Sequence, residues 1–426
     1  MGAIVNAEVR VNVLITTVGS RGDVAPFTGL GAALQTAGHR VTIASYGMFA
    51  GLVTGSGLGF RALPGDPRLL EAARWRRGGT GPLGTARLTR LIASHLREVH
   101  AGMLVAARFG TDVLVPANLT AIGGYHIAQG LGLPSLGLAL APVNPTRAFP
   151  PSVLTARSLG RWGNLAVGQA LIALGSPVLA RPVQELRAEL ELPRISARQA
   201  VFGQQDASRW PVFHGFSPSV VPRPADWRDG IEVAGYWWPV SPPAWFPPAA
   251  LDEFLTAGPP PVFVGIGSMN PSDASELRAL ADTAGQQAGT RMVIQQLPAD
   301  QPATRLPSGH SIVIGEVPHD WLFPQMAAVI HHAGAGTTAA GLRAGVPGVG
   351  VPMLGDQPFW AARLAALGTG PPPIPYKRLT VPALTTVIRD LTTRPSYREQ
   401  AHAMAARLAL EDGTAPVIDA LARLPD

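Results

Sequence analysis

The residues best equipped for chemistry lie between positions 331 and 357, HHAGAGTTAAGLRAGVPGVGVPMLGDQ. A buried-strand pattern ends at His331 and His332, and a glycine turn opens an apolar-periodic helix at Thr337. Glycines let backbone amides approach a ligand closely, and a helix N-terminus favours anions through its unpaired N–H groups and dipole. A diphosphate suits such a turn, with His332 and Thr337 adding side-chain hydrogen bonds and His331 packed beneath it as a structural residue. Residues 334–339 also satisfy the GxGxxA form of a dinucleotide fingerprint, with Asp356 at about the expected 20 residues onward. Against a nicotinamide enzyme stand the two histidines before the turn and the adjacent Asp356 and Gln357, an acceptor and an amide suited to pyranose hydroxyls. The first part of the chain, where that fingerprint most often sits, lacks one, since Gly29 and Gly31 are followed by Leu34.

Positioning these groups requires a strand and helix framework, and the chain supplies it twice. Residues 9–18 (VRVNVLITTV) form a β-branched run into the glycine turn GSRGDV, followed by a helix pattern that stops at Gly38. Further strands are expected at 39–45, 112–115 and from Leu133, with a helix near 91–109. After residue 259 the alternation restarts with PVFVGIGSM, RMVIQQ, SIVIGEV, AAVIHHAGAGTT and GVPGVGVPM. Alternation of this kind predicts an α/β fold of two doubly wound lobes facing a central cleft, with both glycine turns beyond the carboxyl ends of strands. The expected division is a first lobe at 1–224, a Pro/Trp-rich linker at 225–258 and a second lobe at 259–395. A C-terminal helical stretch at 396–426 is expected to cross back onto the first lobe. Repeated prolines fix the backbone and cannot feed a sheet ladder, so the linker reads as a stiff connector rather than a core element.

Bulk composition narrows the function classes. The 426 residues exceed what one core usually serves, and 46% hydrophobic against 15% charged residues favours a large buried interior over disorder. With no cysteine there is no disulfide framework, thiolate metal site or cysteine nucleophile, and a reducing cytoplasm suits the chain. The first residues lack a basic region before an apolar one and do not read as a signal peptide. The formal charge of +6 is almost wholly arginine, many of them between residues 61 and 97, and reads as a solvated surface rather than a nucleic-acid or membrane patch. The uncharged stretch at 162–180 approaches a membrane span in length. Asn164, Gln169, Ser176 and Pro177 interrupt it, so a buried or groove-lining helix is expected.

Six segments then fall together in order along the chain: GSRGDV at 19–24, EVAGYW at 232–237, PPPVFVGIGSM at 259–269, VPHDWLFPQ at 317–325, HHAGAGTTAAGLRAGVP at 331–347 and GDQPFW at 355–360. In these the chain resembles the family 1 (UGT-like) glycosyltransferases of GT-B architecture. Within them it is most similar to the branch of sterol glucosyltransferases and bacterial enzymes that decorate glycopeptide and polyketide antibiotics. The resemblance implies that Asp356 and Gln357 hold the donor sugar, that His332, Gly334, Gly336 and Thr337 hold its diphosphate, and that Ser268 adds a phosphate contact. Many members stack a tryptophan on the base just before a Val-Pro step. Here Glu316 precedes Val317 and Pro318, so Val317 marks the nucleobase position and thymidine and uridine donors both fit.

The resemblance also places an aspartate or histidine on the first loop as general base, and GSRGD offers Asp23, whose ordinary pKa of about 4 keeps it ionised at neutral pH. Its alternative use is as a cap for the helix beginning near Pro26. Ser20 and Arg21 either shape that loop or touch the donor phosphates. The implied reaction is a single inverting displacement needing no metal and no cofactor beyond a UDP- or dTDP-sugar co-substrate. The acceptor is expected on the first lobe between about residues 64–91 and 142–186, where Phe149, Trp162, Leu165, Leu171 and Ile172 suit a lipophilic alcohol such as a sterol or macrolide. Nucleic acid is not an expected partner, and membrane contact is at most peripheral. A sugar-nucleotide epimerase, an NAD-dependent oxidoreductase or a non-catalytic helper are the competing classes.

Overall fold

The computed structural model describes residues 11–65, 82–241, 245–266, 271–296 and 302–424. The first lobe carries β1 (Asn12–Thr16), α1 (Ala25–Thr36), β2 (Arg40–Tyr46), β3 (Gly59–Leu63), β4 (Val113–Pro116), α2 (Thr120–Leu131), β5 (Gly137–Ala139), α3 (Gly160–Glu189), β6 (Val212–His214) and β7 (Ile231–Val233). Its strands run parallel in the order β3-β2-β1-β4, and bridges from Leu114 to Ser135 and from Ala117 to Leu138 lead on to β5-β6-β7. β1 is NVLIT with only its first residue partly exposed, as expected of a strand covered by helices on both faces. Strand order reverses between β1 and β4, so the GSRGD loop after β1 opens at the switch point of the sheet.

The second lobe repeats the plan with β8 (Val262–Gly265), β9 (Met292–Gln295), β10 (Thr304–Arg305), β11 (Ser311–Ile314), β12 (Ala328–His331), α4 (Ala335–Arg343), β13 (Gly348–Gly350) and α5 (Gln357–Ala366). The order is β10-β11-β9-β8-β12-β13, parallel except for the short β10 hairpin strand. Its reversal lies between β8 and β12, which puts the HHAGAG turn at the corresponding crevice. The two parallel sheets are those expected from the alternating pattern. β3, β6, β7 and β10 were not foreseen, because strands of two to five residues next to Gly, Pro and Trp carry too few positions to display a period.

One expectation is corrected. The segment taken as a stiff connector is also core. Residues Ile231 to Val233 pair with β6, and Trp227, Tyr236 and Trp237 are buried. Prolines bound the strand rather than occupy it, which leaves its ladder intact. Helix α3 takes the second of its two expected forms, lining a groove through Asn164, Gly168, Leu171 and Ile172 rather than being buried. Between Gly160 and Val178 it buries Asn164, Gly168 and Ser176 and leaves Trp162, Leu171 and Leu174 in solvent.

One apolar cluster belongs to both lobes. Phe216, Val220, Trp227, Ile231 and Tyr236 of the first lobe and linker pack with Ala333, Leu342, Phe359, Trp360 and Leu364 of the second. Two further helices finish the chain, α6 (Pro395–Leu408) and α7 (Ala415–Leu421), and α7 places Val417 and Leu421 in the core of the first lobe. Where the chain returns it crosses the linker backbone to backbone. Gly235 has φ +116°, and a Cβ on Gly413 would lie 2.5 Å from the Tyr236 carbonyl oxygen. The Trp237 indole N–H donates to Gly413 O at 2.7 Å and locks the crossing. Backbone on both sides cannot yield as a side-chain tip does, so Gly413→Ala should cost about 1–3 kcal/mol. A lowered urea midpoint with an unchanged denaturant slope would register this, and an unaltered midpoint would refute the crossing as a constraint.

Candidate functional site

The site is assembled from strand ends. β12 delivers His331 and His332, the chain turns through Ala333 at φ +61°, and Gly334 begins α4 in an extended conformation. A left-handed alanine costs roughly 1–2 kcal/mol, offset in part by about 0.8 kcal/mol for burying its methyl. That methyl is fully buried in the cluster shared by the lobes. His331 closes the turn from below, its Nδ1 accepting from Ala333 N at 3.0 Å. Burial, followed by the neighbouring His332 and His319, holds its pKa well below the ordinary value, so it is neutral.

Above the turn, the first intrahelical bond of α4 runs from Thr338 N to Gly334 O at 2.9 Å. The amides of Ala335, Gly336 and Thr337 therefore precede the helical ladder and form a donor set for an anion. A Cβ on Gly336 would meet nothing within 4 Å, so that amide borders open space. One on Gly334 would stand 2.5 Å from His332 Nε2, which shows the imidazole lying across the helix start. His332 has its pKa lowered by burial, opposed by a bond with the Gly265 backbone and by the Asp356 carboxylate. It faces the anion site as a neutral ring, with Nδ1 buried and unpartnered.

Asp356 and Gln357 sit where the loop after β13 enters α5. The Gln357 carbonyl Oε1 accepts from Met353 N at 2.8 Å and from Leu354 N at 3.1 Å, which fixes the side chain and turns its amide N–H groups away from the loop. Asp356 occupies the N-cap position of α5 without a side-chain capping bond. Instead its Oδ2 accepts from the Trp360 indole N–H at 2.8 Å. The pair thus offers a carboxylate oxygen and two amide protons side by side, a set matched to vicinal hydroxyls. Ser268 lies outside the described residues. Val317 is buried in the second lobe, so only its backbone can meet a base, and Trp321, half-buried against the core of that lobe, packs edge-on against Trp245 at 5.1 Å.

On the first lobe, Asp23 ends a 3-10 turn, Arg21–Asp23, just ahead of α1. Its Oδ2 accepts from Ser20 N at 2.8 Å and from Ser20 Oγ at 2.9 Å. The alternative role as a cap of α1 is not what the structure shows, since the N-cap position is Val24 and has no side-chain bond. Gly19, at φ +143°, admits this closure, because a Cβ there would fall 2.3 Å from the same Asp23 oxygen. Ser20 shapes the loop. Arg21 reaches out of it to pair with Glu316 of the second lobe, immediately before Val317. Both partners are substantially exposed, so the pair contributes no more than about 1 kcal/mol, but it marks where the two loops meet.

His319 was not foreseen. It stacks on Phe323 at 4.3 Å, and burial, then His332 and Arg21, lower its pKa to about 4. A histidine inside VPHDW carries no sequence signal separating it from a surface residue. The expected acceptor walls are partly realised, in a groove lined by Phe149, Asn164, Gly168, Leu171 and Ile172 among others. Leu165 and Trp162 lie outside its lining, and residues 66–81 lie outside the described residues. Phe149 touches Phe359 of α5 at 5.3 Å between ring centroids, so the groove abuts the helix that carries Gln357.

Known proteins agree with this architecture. Residues 13–150 match the glycosyltransferase family 28 N-terminal domain, and residues 286–424 match the erythromycin biosynthesis protein CIII-like C-terminal domain. A sterol 3-beta-glucosyltransferase of Arabidopsis thaliana is 34% identical over 97% of this chain and 68% of its own length. The O-mycaminosyltylonolide 6-deoxyallosyltransferase of Streptomyces fradiae is 32% identical over 95% of each chain. The chain spans only 33% of a sterol 3-beta-glucosyltransferase from Pichia angusta, at 31% identity over 96% of its own length. Among solved structures, the glycotransferase of kitacinnamycin superposes with a TM-score of 0.70 at 20% identity, covering 98% of this chain and 100% of that one. The glycosyltransferase VinC in complex with dTDP gives 0.67 at 21%, covering 96% and 99%. Two Rossmann-like lobes of this kind are the GT-B fold. The chain belongs to the glycosyltransferase family that joins the sterol glucosyltransferases to the antibiotic glycosyltransferases of Streptomyces.

Two outcomes follow from this geometry. Gly334→Ala should push His332 off the start of α4 and weaken nucleoside diphosphate binding at least about tenfold, equivalent to 1.4 kcal/mol. Titration calorimetry checks it, and unchanged affinity would separate His332 from the anion site. Burial also lowers the pKa of His100, His126, His214 and His319 to about 4. Unfolded histidines take up protons near pH 6.5, so the stability these neutral rings contribute is complete above that pH and is lost as pH falls toward 4. Urea midpoints should be flat from pH 7 to 8.5 and drop steadily between pH 6.5 and 4.

Proposed function

We propose that this glycosyltransferase moves a hexose or deoxyhexose from a UDP- or dTDP-sugar to a hydroxyl of a lipophilic alcohol, a sterol or a polyketide such as a macrolide. The transfer is inverting, needs no metal, and uses Asp23 as general base. The observation that carries this reading is the meeting of three loops at facing strand ends. The Asp23 loop is tied to the second lobe through Arg21 and Glu316, while His332 and the Asp356–Gln357 pair project from the ends of β12 and β13. The relatives support the substrate classes. Two are named for sterol and for O-mycaminosyltylonolide, and the structure of VinC holds dTDP.

In the proposed reaction the acceptor oxygen attacks the anomeric carbon from the first-lobe side as the bond to the diphosphate oxygen breaks on the other. The acceptor proton passes to the Asp23 carboxylate, which Ser20 holds in one orientation through two bonds. Negative charge grows on the departing diphosphate, where the free amides of α4 and the neutral His332 stand ready to receive it. Asp356 and Gln357 orient the sugar, so the two reactants meet as in an intramolecular step. Phe149, Leu171 and Ile172 provide apolar walls for the acceptor next to α5.

The test pairs a panel of UDP- and dTDP-sugars with sterol and macrolide alcohols. Sugar should be consumed only when an alcohol is present. Conversion of the donor alone would instead indicate an epimerase. Asp23→Asn should lower kcat by about 10²–10⁴-fold while dTDP or UDP binds within a few-fold of wild type. Transfer at the wild-type rate in that variant would remove Asp23 from the role of base.

A further inference from the structure

Helix α3 leaves large apolar side chains in solvent. A surface helix normally buries its large apolar residues and shows polar ones to solvent. Here Asn164, Gly168, Ser176 and Ala180 are buried, with Ile172 half-buried between them at the same spacing, while Trp162 is 72% and Leu174 79% exposed. Val153, Leu154 and Leu159, on the segment leading into the helix, are each about half exposed as well. Isolated exposed apolar residues are ordinary, but several of them along one segment of chain mark a candidate place of contact.

The charge around that face has one sign. From residue 113 to residue 184 the chain contains four arginines, Arg147, Arg157, Arg161 and Arg181, and no aspartate or glutamate. Arg157 and Arg161 are exposed at the start of the helix, and Arg147 stacks over the Trp162 ring at 4.3 Å. The acids that touch the patch stand at its edges. Glu185 pairs with Arg97 and Arg181, and Asp226 holds the Arg147 backbone and the Thr146 hydroxyl. Exposed apolar side chains flanked at one end by arginines, with tryptophan at the margin, are what the headgroup region of an anionic bilayer accommodates. A second copy of the same patch would set arginine against arginine.

Length and composition alone would also let α3 cross a bilayer. Its second half is committed to the lobe, with Ala180 and Val183 in an apolar cluster and Arg187 bonded to His126, Gln129 and the Pro193 carbonyl. Only one face is therefore available, and a helix in that condition lies in the interface rather than spanning it. We propose that this face docks the first lobe on a membrane surface rich in anionic lipid. Leu171 belongs both to the exposed set and to the groove lining, so docking brings the groove mouth to the depth where lipophilic alcohols dissolve.

Co-sedimentation reads the docking without any substrate and so stands apart from the transfer reaction. The intact chain is mixed with phosphatidylcholine vesicles, with and without about one third phosphatidylglycerol. Wild type should pellet with the anionic vesicles at low salt, and at least about tenfold less with the neutral ones or at high salt. The pairs Arg157→Glu with Arg161→Glu and Trp162→Ser with Leu174→Asp should each lower binding by about tenfold or more, with thermal unfolding close to wild type as the check on folding. Failure to pellet with either vesicle, or binding indifferent to both pairs, overturns the proposal. So does a dimer in sedimentation velocity that Leu174→Asp dissolves, which would make the face a contact between copies.

Discussion

The indole of Trp360 ties the fold to the chemistry. It is completely buried in the cluster shared by the lobes, edge-on to Phe216 at 5.8 Å, and its N–H is spent on Asp356. A buried indole needs an acceptor, and the nearest one is the carboxylate facing the candidate sugar site. The group that seats the second lobe against the first therefore also sets the direction of Asp356. Phe359, one residue earlier, meets Phe149 at the groove wall. A single helical turn of α5 thereby coordinates the lobe interface, the candidate donor sugar contact and the apolar groove, so a shift in one displaces the other two.

The electrostatics of the second lobe follow a related economy. His331, His332 and His319 cluster beneath and beside the start of α4, and burial is the first cause lowering the pKa of all three; His332 adds to it for the other two, while His332 itself is opposed by the Gly265 backbone and Asp356. Three imidazolium charges there would bind an anion strongly but would also be costly to desolvate. Neutral rings beside unpaired amides leave dipoles in fixed positions, which cost little to bury and need no reorganisation as charge develops. Arg21, the nearest full cation described at this point, comes from the opposite lobe and is held by Glu316.

The two lobes present opposite surfaces to their surroundings. Among the described residues of the second lobe at 259–395, no large apolar side chain is left exposed. The first lobe gathers its own along α3 and the segment before it, adjoining the groove.

The amino-acid sequence by itself determined what is local. Strand end, glycine turn and helix start follow one another directly around His331, so the geometry of the candidate anion site follows from backbone rules alone, as does the parallel alternation of both sheets. Asp23 on a strand-end loop was legible for the same reason. Tertiary structure decided what depends on neighbours distant in sequence. Whether Asp23 caps α1 or closes on Ser20, whether Arg21 serves its own loop or reaches Glu316, and whether the tryptophans of the linker are exposed or core all depend on surfaces brought from elsewhere in the chain. The orientation of α3 is the plainest case. Its composition fits a buried helix, and only the lobe it packs on determines that Asn164, Gly168 and Ser176 face inward, because a helix turns toward solvent whichever face its neighbour leaves uncovered.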